Sequence, residues 1–326
     1  VIAKPAEQSP LIAYEAVKLF QAAGLPKSVL HLLPGDGTLG AALVDHPRTA
    51  GVAFTGSTEV ARRINQALAA KDGPITPLIA ETGGLNGMFV DTSALQEQVI
   101  DDAIHSAMGS AGQRCSALRV IFLPEDVADP LIERLKGAMD ELTVGDPALA
   151  STDIGPVIDQ DAYDTLEAHL KDMESCARVL HRTPLAPGLE ARGRFFAPAM
   201  VELDSLDQIT EEKFGPILHV VRYKRSKLKE TAAALAAKGY GLTLGVHSRL
   251  QRFLDDVRMA VPAGNLYVNR NMTGAVVGVQ PFGGEGLSGT GPKAGGPHYL
   301  ARFAVERVLT VNIAAQGGDP ELLSLS

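Results

Sequence analysis

Gly51-Val-Ala-Phe-Thr-Gly-Ser-Thr-Glu-Val-Ala-Arg-Arg-Ile-Asn-Gln-Ala-Leu-Ala-Ala70 runs from a short apolar stretch through Gly-Ser-Thr into a long helix-forming one, and Pro77–Ala80 is apolar again. The spacing predicts a strand over Gly51–Thr55, a helix opened by Ser57, and a second strand. A strand, a helix and a strand in that order are the unit of a parallel sheet. The same alternation extends outward. Upstream lie a short apolar run at Val1–Lys4, a helix over Pro10–Ala23 ended by Gly24, a strand at Val29–Leu33 and a helix at Leu39–Val44. Downstream, strands are expected at Gly87–Val90, Ala117–Leu123, Glu202–Asp204, Pro216–Tyr223, Leu242–His247 and Asn265–Asn269. Helices are expected at Ala94–Met108, Val127–Leu142, Gln160–Arg178, Leu228–Ala237 and Gln251–Val257. The chain reads as α/β, with two successive units.

Composition narrows the function classes. The chain has 326 residues and 45% apolar residues, enough to bury a sizeable core. No apolar stretch approaches the roughly 18 residues that span a bilayer. The net charge is −8 and no Lys/Arg block occurs, so nucleic acid is a poor partner. Cys115 and Cys176 are the only cysteines, which argues against a disulfide framework and for a reducing compartment. The opening Val-Ile-Ala-Lys-Pro reads as the middle of a buried strand, and predicts a piece of a longer polypeptide.

Six short stretches carry chemistry. Ser110-Ala-Gly-Gln-Arg-Cys115-Ser116 places a lone thiol among small and polar residues, beside an Arg114 expected to favour the nucleophilic thiolate. Taken alone, Cys115 is equally compatible with a buried, inert thiol, and Cys176 reads as structural. Glu81-Thr-Gly-Gly84 puts a carboxylate at the end of an apolar strand, suited to activate water or simply to be solvated. Phe54-Thr-Gly-Ser-Thr58 is a helix N-terminus that binds phosphate or merely caps. Gly35-Asp-Gly-Thr-Leu-Gly40 has dinucleotide-loop spacing, but lacks the acidic residue about 20 positions on, where Phe54 and Thr55 stand. A plain tight turn is the better reading there. Glu211-Glu-Lys-Phe-Gly-Pro216 precedes a strand, and Asn271–Gly278 with Gln280–Gly284 is a glycine-rich loop able to form an anion nest or plain turns. The eight histidines show neither His-x-x-x-His nor Cys-x-x-Cys spacing, so no metal site is expected.

Together, in this order and at this spacing, these motifs resemble the NAD(P)-dependent aldehyde dehydrogenase superfamily. Thirty-four residues separate Glu81 from Cys115, and Glu-Glu-x-Phe-Gly-Pro is that family's cofactor-clamp motif. The resemblance covers the whole chain, about the C-terminal two-thirds of a typical member. It implies the aldehyde dehydrogenase fold, an α/β arrangement of a Rossmann-like cofactor domain, N-terminally truncated here, and an α/β catalytic domain. Residues 1–85 are expected to be the C-terminal part of the NAD-binding domain, and residues 86–290 the catalytic, thiol-bearing domain. Residues 291–326 are expected to return to the cofactor domain and to carry an oligomerisation strand at Val308–Ile313.

Arg114-Cys-Ser116, Thr273–Gly278, Gln280–Gly284 and Gly295-Gly-Pro-His-Tyr299 narrow the resemblance to the glutamate-semialdehyde (1-pyrroline-5-carboxylate) dehydrogenases. Glu81-Thr-Gly-Gly-Leu-Asn86 is similar to the version in bifunctional proline utilization A flavoproteins, where this enzyme follows a proline dehydrogenase barrel. The resemblance implies Cys115 as nucleophile, with its backbone N–H as an oxyanion donor, and Glu81 as the base that activates water. It implies cofactor contacts from Lys4, Glu7, Gly56, Ser57, Glu212 and Phe214, with Gly35 and Gly37 on the cofactor side. It implies that Ser116, Gly274 and Ala275 anchor the substrate's α-carboxylate, with Phe282 lining the pocket or packing beside it. NAD is the implied cofactor, since Glu7 near the ribose opposes a 2′-phosphate by charge. FAD belongs only to an upstream proline dehydrogenase domain.

The implied partners are the small-molecule substrate glutamate semialdehyde, a second copy in a homodimer, and a covalently linked proline dehydrogenase domain. The implied location is the cytoplasm, or the periphery of the inner membrane within a bifunctional protein. The family's upstream Asn, which completes its oxyanion hole, has no counterpart in this sequence, and Ala61 stands where the family often has Gly. An aldehyde dehydrogenase of other specificity and a catalytically inactive scaffold are the two rival readings.

Overall fold

A computed structural model describes residues 1–276, 278–312 and 321. The first unit contains β1 (Ile2–Ala3), α1 (Pro10–Ala22), β2 (His31–Leu32), α2 (Gly37–Asp45), β3 (Val52–Thr55), α3 (Thr58–Ala70) and β4 (Leu78–Glu81). The second continues through β5 (Gly87–Val90), α4 (Gln96–Met108), β6 (Val120–Pro124), α5 (Glu125–Asp140), α6 (Gln160–Cys176), β7 (Arg178–Arg182), β8 (Ala199–Leu203) and β9 (Ile217–Tyr223). It ends with α7 (Leu228–Ala236), β10 (Tyr240–Gly241), β11 (Thr243–His247), α8 (Gln251–Ala260), β12 (Asn265–Val268) and β13 (Glu285–Gly286).

The second unit is built on a seven-stranded sheet in the order β12-β11-β5-β6-β9-β8-β7. Its neighbours run parallel except β7, which is antiparallel to β8. Every residue of β5, β6, β8 and β11 is buried, as expected of a parallel sheet covered on both faces. That is why β5 and β6 read as unbroken apolar runs, whereas β8 and β11 bury Glu202, Thr243 and His247 within theirs. Phe89 and Phe122 stack across β5 and β6 with ring centroids 4.3 Å apart.

β8 runs over Ala199–Leu203 rather than the expected Glu202–Asp204, and two larger differences stand beside it. The helix expected to reach Arg178 ends at Cys176, and after Ala177 the five residues Arg178–Arg182 form the edge strand β7. Its charged ends are paired rather than solvated: Arg178 bonds Glu202 of β8 and Arg182 bonds Glu167 of α6. An edge strand with a charge at each end looks like a helix surface in one dimension. In the tail, residues 304–312 carry no strand, and Val308 and Leu309 are 91% and 87% exposed. A strand needs a partner ladder, and none runs beside this segment among the described residues. Ile313 lies outside the described residues.

In the first unit β1 pairs with β2 and β3 with β4, both in parallel. α1 buries none of its residues, and Leu11 and Leu19 are 79% and 71% exposed. The two units are joined along β4. The amide of Thr82 donates to Ser288 O at 2.9 Å, and the amide of Thr290 donates to Ala80 O at 2.9 Å. The return to β4 is therefore already made by residues 288–290, just ahead of the expected boundary at residue 291.

Candidate active site

Cys115 lies in the turn between α4 and β6. Ser110, Ala111 and Gly112 precede it with φ of 56°, 54° and 64°, three successive left-handed residues. Two of them carry side chains, so the loop is strained, a feature that clusters at functional sites. Gly112 is required: a Cβ there would lie 2.1 Å from the carbonyl oxygen of Gly215. Beyond the thiol, the amide of Ala117 turns back to Arg114 O at 3.0 Å, so β6 starts at Val120, not at the expected Ala117.

Asn86 sets the height of this turn. Its Nδ2 donates to the carbonyls of Cys115 (2.7 Å) and Ala117 (2.9 Å), and its Oδ1 accepts from the amide of Thr243 (3.1 Å). Thr243 Oγ1 in turn donates to Ser116 O at 3.2 Å. Cys115 is left half-buried and Ser116 buried. Burial first, and the Glu212 carboxylate second, push the Cys115 thiol above its usual range. The amides of Ser116 and Cys115 and the Arg119 guanidinium oppose that rise. The expectation that Arg114 favours the thiolate is corrected. Arg114 is exposed and its Nε donates to Ser110 Oγ at 2.9 Å, so the cation acting on the thiol is Arg119.

Glu81 closes β4 and is half-buried, not the solvated strand end its position allowed. Its Oε2 accepts from the amide of Gly284 at 2.8 Å, and its Oε1 is buried without a partner. Glycines surround it: a Cβ on Gly283 or Gly289 would come within 2.9 Å of Oε1. Burial raises the Glu81 carboxyl above the usual carboxylate range, against the Gly284 amide and the nearby Lys293. A carboxyl with a raised pKa and one free oxygen is equipped to take a proton.

Glu212 ties the loops together. Its Oε1 accepts from Arg119 Nη2 at 2.8 Å and Nε at 3.1 Å, and its Oε2 accepts from the amide of Gly84 at 3.1 Å. Gly83 and Gly84 must be small, since a Cβ on Gly83 would fall 1.9 Å from Glu212 Oε2. The Arg119 guanidinium also lies over the Phe214 ring, 5.3 Å from its centroid, leaving Phe214 45% exposed.

The other expected cofactor residues divide. Lys4 Nζ donates to Gly35 O at 2.9 Å and its stem lies against Gly40, which brings Lys4 and the Gly35–Gly40 loop together. That loop does not offer a phosphate site. Asp36 caps α2 and accepts from the amides of Thr38 and Leu39, filling the helix N-terminus with its own carboxylate. Gly35 is needed for the turn, since a Cβ there would meet Leu39 at 2.4 Å, whereas Gly37 opens α2 with space around it. Gly56 precedes the Ser57 cap. Its amide is spent on Glu81 O at 3.1 Å, one step past the β3–β4 ladder. Ser57 caps α3 by accepting from the amide of Val60 at 3.2 Å, and retains its hydroxyl as a donor. Glu7 is exposed. The ammonium of Lys4, the hydroxyl of Ser57 at a helix N-terminus and the carboxylate of Glu212 fit the anionic and diol groups of a dinucleotide.

The segments bearing the expected anchor residues are held through β11 and α4. Thr243 holds Ser116, and two residues on Gly245 makes room for Met272, whose Sδ would lie 2.7 Å from a Cβ there. Ser106 of α4 accepts the Met272 amide at 2.9 Å, so the loop bearing Gly274 and Ala275 is held from below. Gly274 has φ of 80°, while Gly274 and Ala275 are exposed and half-buried. Phe282 is half-buried and its backbone bridges to Ala294, on the turn that presents Gly283 and Gly284 to Glu81. The roles of Asn86, Arg119 and Gly284 were missed in the sequence. Arg119 left a signal, a cation inside the apolar run Ala117–Leu123; Asn86 and Gly284 left none beyond their place in the quoted motifs.

A half-buried thiol on a strained loop and a half-buried carboxylate with an unpartnered oxygen, each carried where a strand meets a loop, are groups suited to covalent chemistry on a carbonyl. The model of the aldehyde dehydrogenase family matches residues 1–308, and the chain belongs to that family. Among its relatives, the bifunctional protein PutA of Klebsiella aerogenes is 53% identical over 315 residues, covering 94% of this chain and 24% of that protein. A solved proline utilization A (PutA) mutant from Bradyrhizobium japonicum superimposes with a TM-score of 0.93 at 60% identity, over 97% of this chain and 32% of that one. The 1-pyrroline-5-carboxylate dehydrogenase from Thermus, solved with bound NAD, matches with a TM-score of 0.86 at 36% identity, over 93% of this chain and 59% of that one. The chain thus spans about a quarter of the length of the PutA relative.

Proposed function

We propose that this chain carries out the NAD⁺-dependent oxidation of L-glutamate γ-semialdehyde to L-glutamate. The observation that carries the reading is the Asn86 clamp. One side chain, five residues along the chain from Glu81, holds the turn that presents Cys115. Likeness to a 1-pyrroline-5-carboxylate dehydrogenase supports the substrate, and the NAD bound to that relative supports the cofactor.

The Cys115 sulfur, once deprotonated, adds to the aldehyde carbon and forms a thiohemiacetal. The Cys115 amide donates to the oxygen that becomes negative in that step. When bound, the dinucleotide supplies the acceptor for the hydride that leaves the former aldehyde carbon, and a thioester on Cys115 results. Lys4, Ser57, Glu212 and Phe214 would hold the cofactor. Glu81, through its unpartnered Oε1, takes a proton from water as the water attacks the thioester carbonyl. The carbon–sulfur bond breaks, glutamate leaves, and the thiol is restored. Ser116, Gly274 and Ala275 bind the α-carboxylate and align the carbonyl over the sulfur.

Two free cysteines support a reducing cytoplasm. The bifunctional PutA relative supports a linked proline dehydrogenase domain, and the exposed apolar tail at Val308 and Leu309 supports a homodimer.

The test is NADH formation by the complete native polypeptide, with glutamate semialdehyde compared against short aliphatic aldehydes. Preference for glutamate semialdehyde, abolished by Cys115→Ala, is expected. Equal turnover of all aldehydes would reject the substrate, and turnover surviving in Cys115→Ala would reject the nucleophile. Ser116→Ala should raise KM for glutamate semialdehyde more than for unsubstituted aldehydes.

A further inference from the structure

Arg119 is 1% exposed, the largest side chain so completely buried among the described residues, and it lies next to the reactive turn without forming part of it. A guanidinium has five N–H donors in a fixed fork. Each finds an acceptor. Nε meets Glu212 Oε1 (3.1 Å), and Nη1 meets the carbonyls of Gly112 (2.7 Å) and Gly215 (3.2 Å). Nη2 meets the carbonyl of Arg114 (3.0 Å) and Glu212 Oε1 (2.8 Å). Two of these acceptors, Gly112 and Arg114, belong to the strained loop leading into Cys115. Two segments of the clamp motif are held as well, Glu212 by its carboxylate and Gly215 by its carbonyl. Through the Gly84 amide on Glu212 Oε2, the same hub reaches the turn that follows Glu81.

A lysine cannot replace this. It has the charge but only three donors at one point, and the fork that reaches both loops would be lost. Nor is simple burial a sufficient account of a charged residue leading into an apolar strand. A buried ion pair is weak evidence for stability, since apolar residues of similar volume commonly do as well.

We propose that Arg119 is a positioning residue that fixes the nucleophile loop and the Glu212 carboxylate as one unit, so that thiol reactivity and cofactor engagement are set together. The part concerning the cofactor rests on the reading that Glu212 meets the cofactor; the part concerning the thiol does not. Glu212 raises the Cys115 thiol and Arg119 lowers it, so the pair also sets the charge the thiol experiences.

The test uses the complete native polypeptide and two readouts. The first, without cofactor, is the pH dependence of Cys115 alkylation by iodoacetamide, followed by peptide mass spectrometry with Cys176 as internal reference. Glu212→Gln should shift the midpoint to lower pH, and adding Arg119→Lys to it should slow alkylation of Cys115 relative to Cys176. The second is NAD⁺ affinity by calorimetry. Arg119→Lys should weaken binding about tenfold, the scale of one charge-assisted hydrogen bond. The double variant should bind no worse than Glu212→Gln alone, because Arg119 acts through Glu212. An unmoved alkylation profile in every variant, with losses of affinity that simply add, would overturn the proposal and leave Arg119 a packing residue. If Glu212→Gln binds NAD⁺ like wild type while the alkylation profile moves as stated, the cofactor reading of Glu212 fails and the positioning of the thiol stands. Should Arg119→Lys not fold, Arg119→Met paired with Glu212→Leu replaces the ion pair by apolar volume. The fold should then recover without thiol reactivity, and recovery of both would overturn the proposal.

Discussion

The side chain of Asn86 donates one hydrogen bond to the carbonyl of Cys115 and another to that of Ala117, on both sides of Ser116. Asn86 is 2% exposed, so neither carbonyl has water as a ready substitute. Asn86→Ala therefore strands two acceptors and the Thr243 donor. It should cost about 2–4 kcal/mol in urea unfolding and lower kcat/KM by more than tenfold. An unchanged turnover in a measurably less stable variant would show that the turn holds its height without the clamp.

Glu81→Gln keeps the shape of the site and removes the base. The first NADH burst should survive, while steady-state turnover drops about 10²–10⁴-fold, the range for loss of a general base. In wild type the unprotonated carboxylate is the working form. Because burial raises the Glu81 carboxyl, the deacylation rate should climb with pH through a midpoint above the ordinary carboxylate range. A burst lost together with turnover would assign Glu81 more than deacylation, and a limb absent from the pH profile would remove Glu81 as the base.

Gly289→Ala tests the glycine nest around that carboxylate. A Cβ at this position would lie 2.8 Å from Glu81 Oε2 and 2.9 Å from the carbonyl oxygen of Gly284. The side chain of Glu81 is the softer of the two neighbours and should swing away. Steady-state activity is expected to fall at least tenfold while the Tm moves by a few degrees. A crystal structure showing Glu81 undisturbed would refute the account.

His169 of α6 and His219 of β9 share a hydrogen bond, Nε2 to Nε2, at 2.9 Å, and His219 Nδ1 lies 3.0 Å from Arg119 O. Burial lowers His169 to about 4 and His219 to about 3. Both are neutral in the folded protein at pH 7. The unfolded chain takes up protons near the ordinary histidine value, so the folded state keeps this contribution above about pH 6.5 and loses it as pH falls toward 4. Unfolding free energy should drop by a few kcal/mol over that window. His169→Gln should flatten the acid limb; an identical slope in wild type and variant would exclude the pair as its source.

Much of the fold was legible because each element had its own local signal. The strand–helix–strand pattern around Phe54-Thr-Gly-Ser-Thr58 and the unbroken apolar runs of β5 and β6 needed no tertiary information. β7 was not legible, because its charged ends are satisfied only by Glu167 and Glu202, which lie far from them in sequence. Cys115 and Glu81 stood out by residue type, by the small residues beside them and by family likeness. Their electrostatics did not. The neighbour Arg114 pointed the wrong way, and the cation that matters, Arg119, reaches the thiol only after the chain has turned.

The sequence by itself determined the α/β class, the order of the elements, the thiol and carboxylate at their spacing, and the family. These rest on local periodicity and on residue types at fixed separations, which need no three-dimensional information. Only the tertiary structure decided that Gly56 spends its amide on Glu81, that Asp36 fills the helix end in the Gly35–Gly40 loop, and that Asn86 and Arg119 hold the turn that carries Cys115. Hydrogen bonds between residues far apart along the chain have no periodicity to announce them. They are settled by which buried donors and acceptors the packed sheet leaves facing one another.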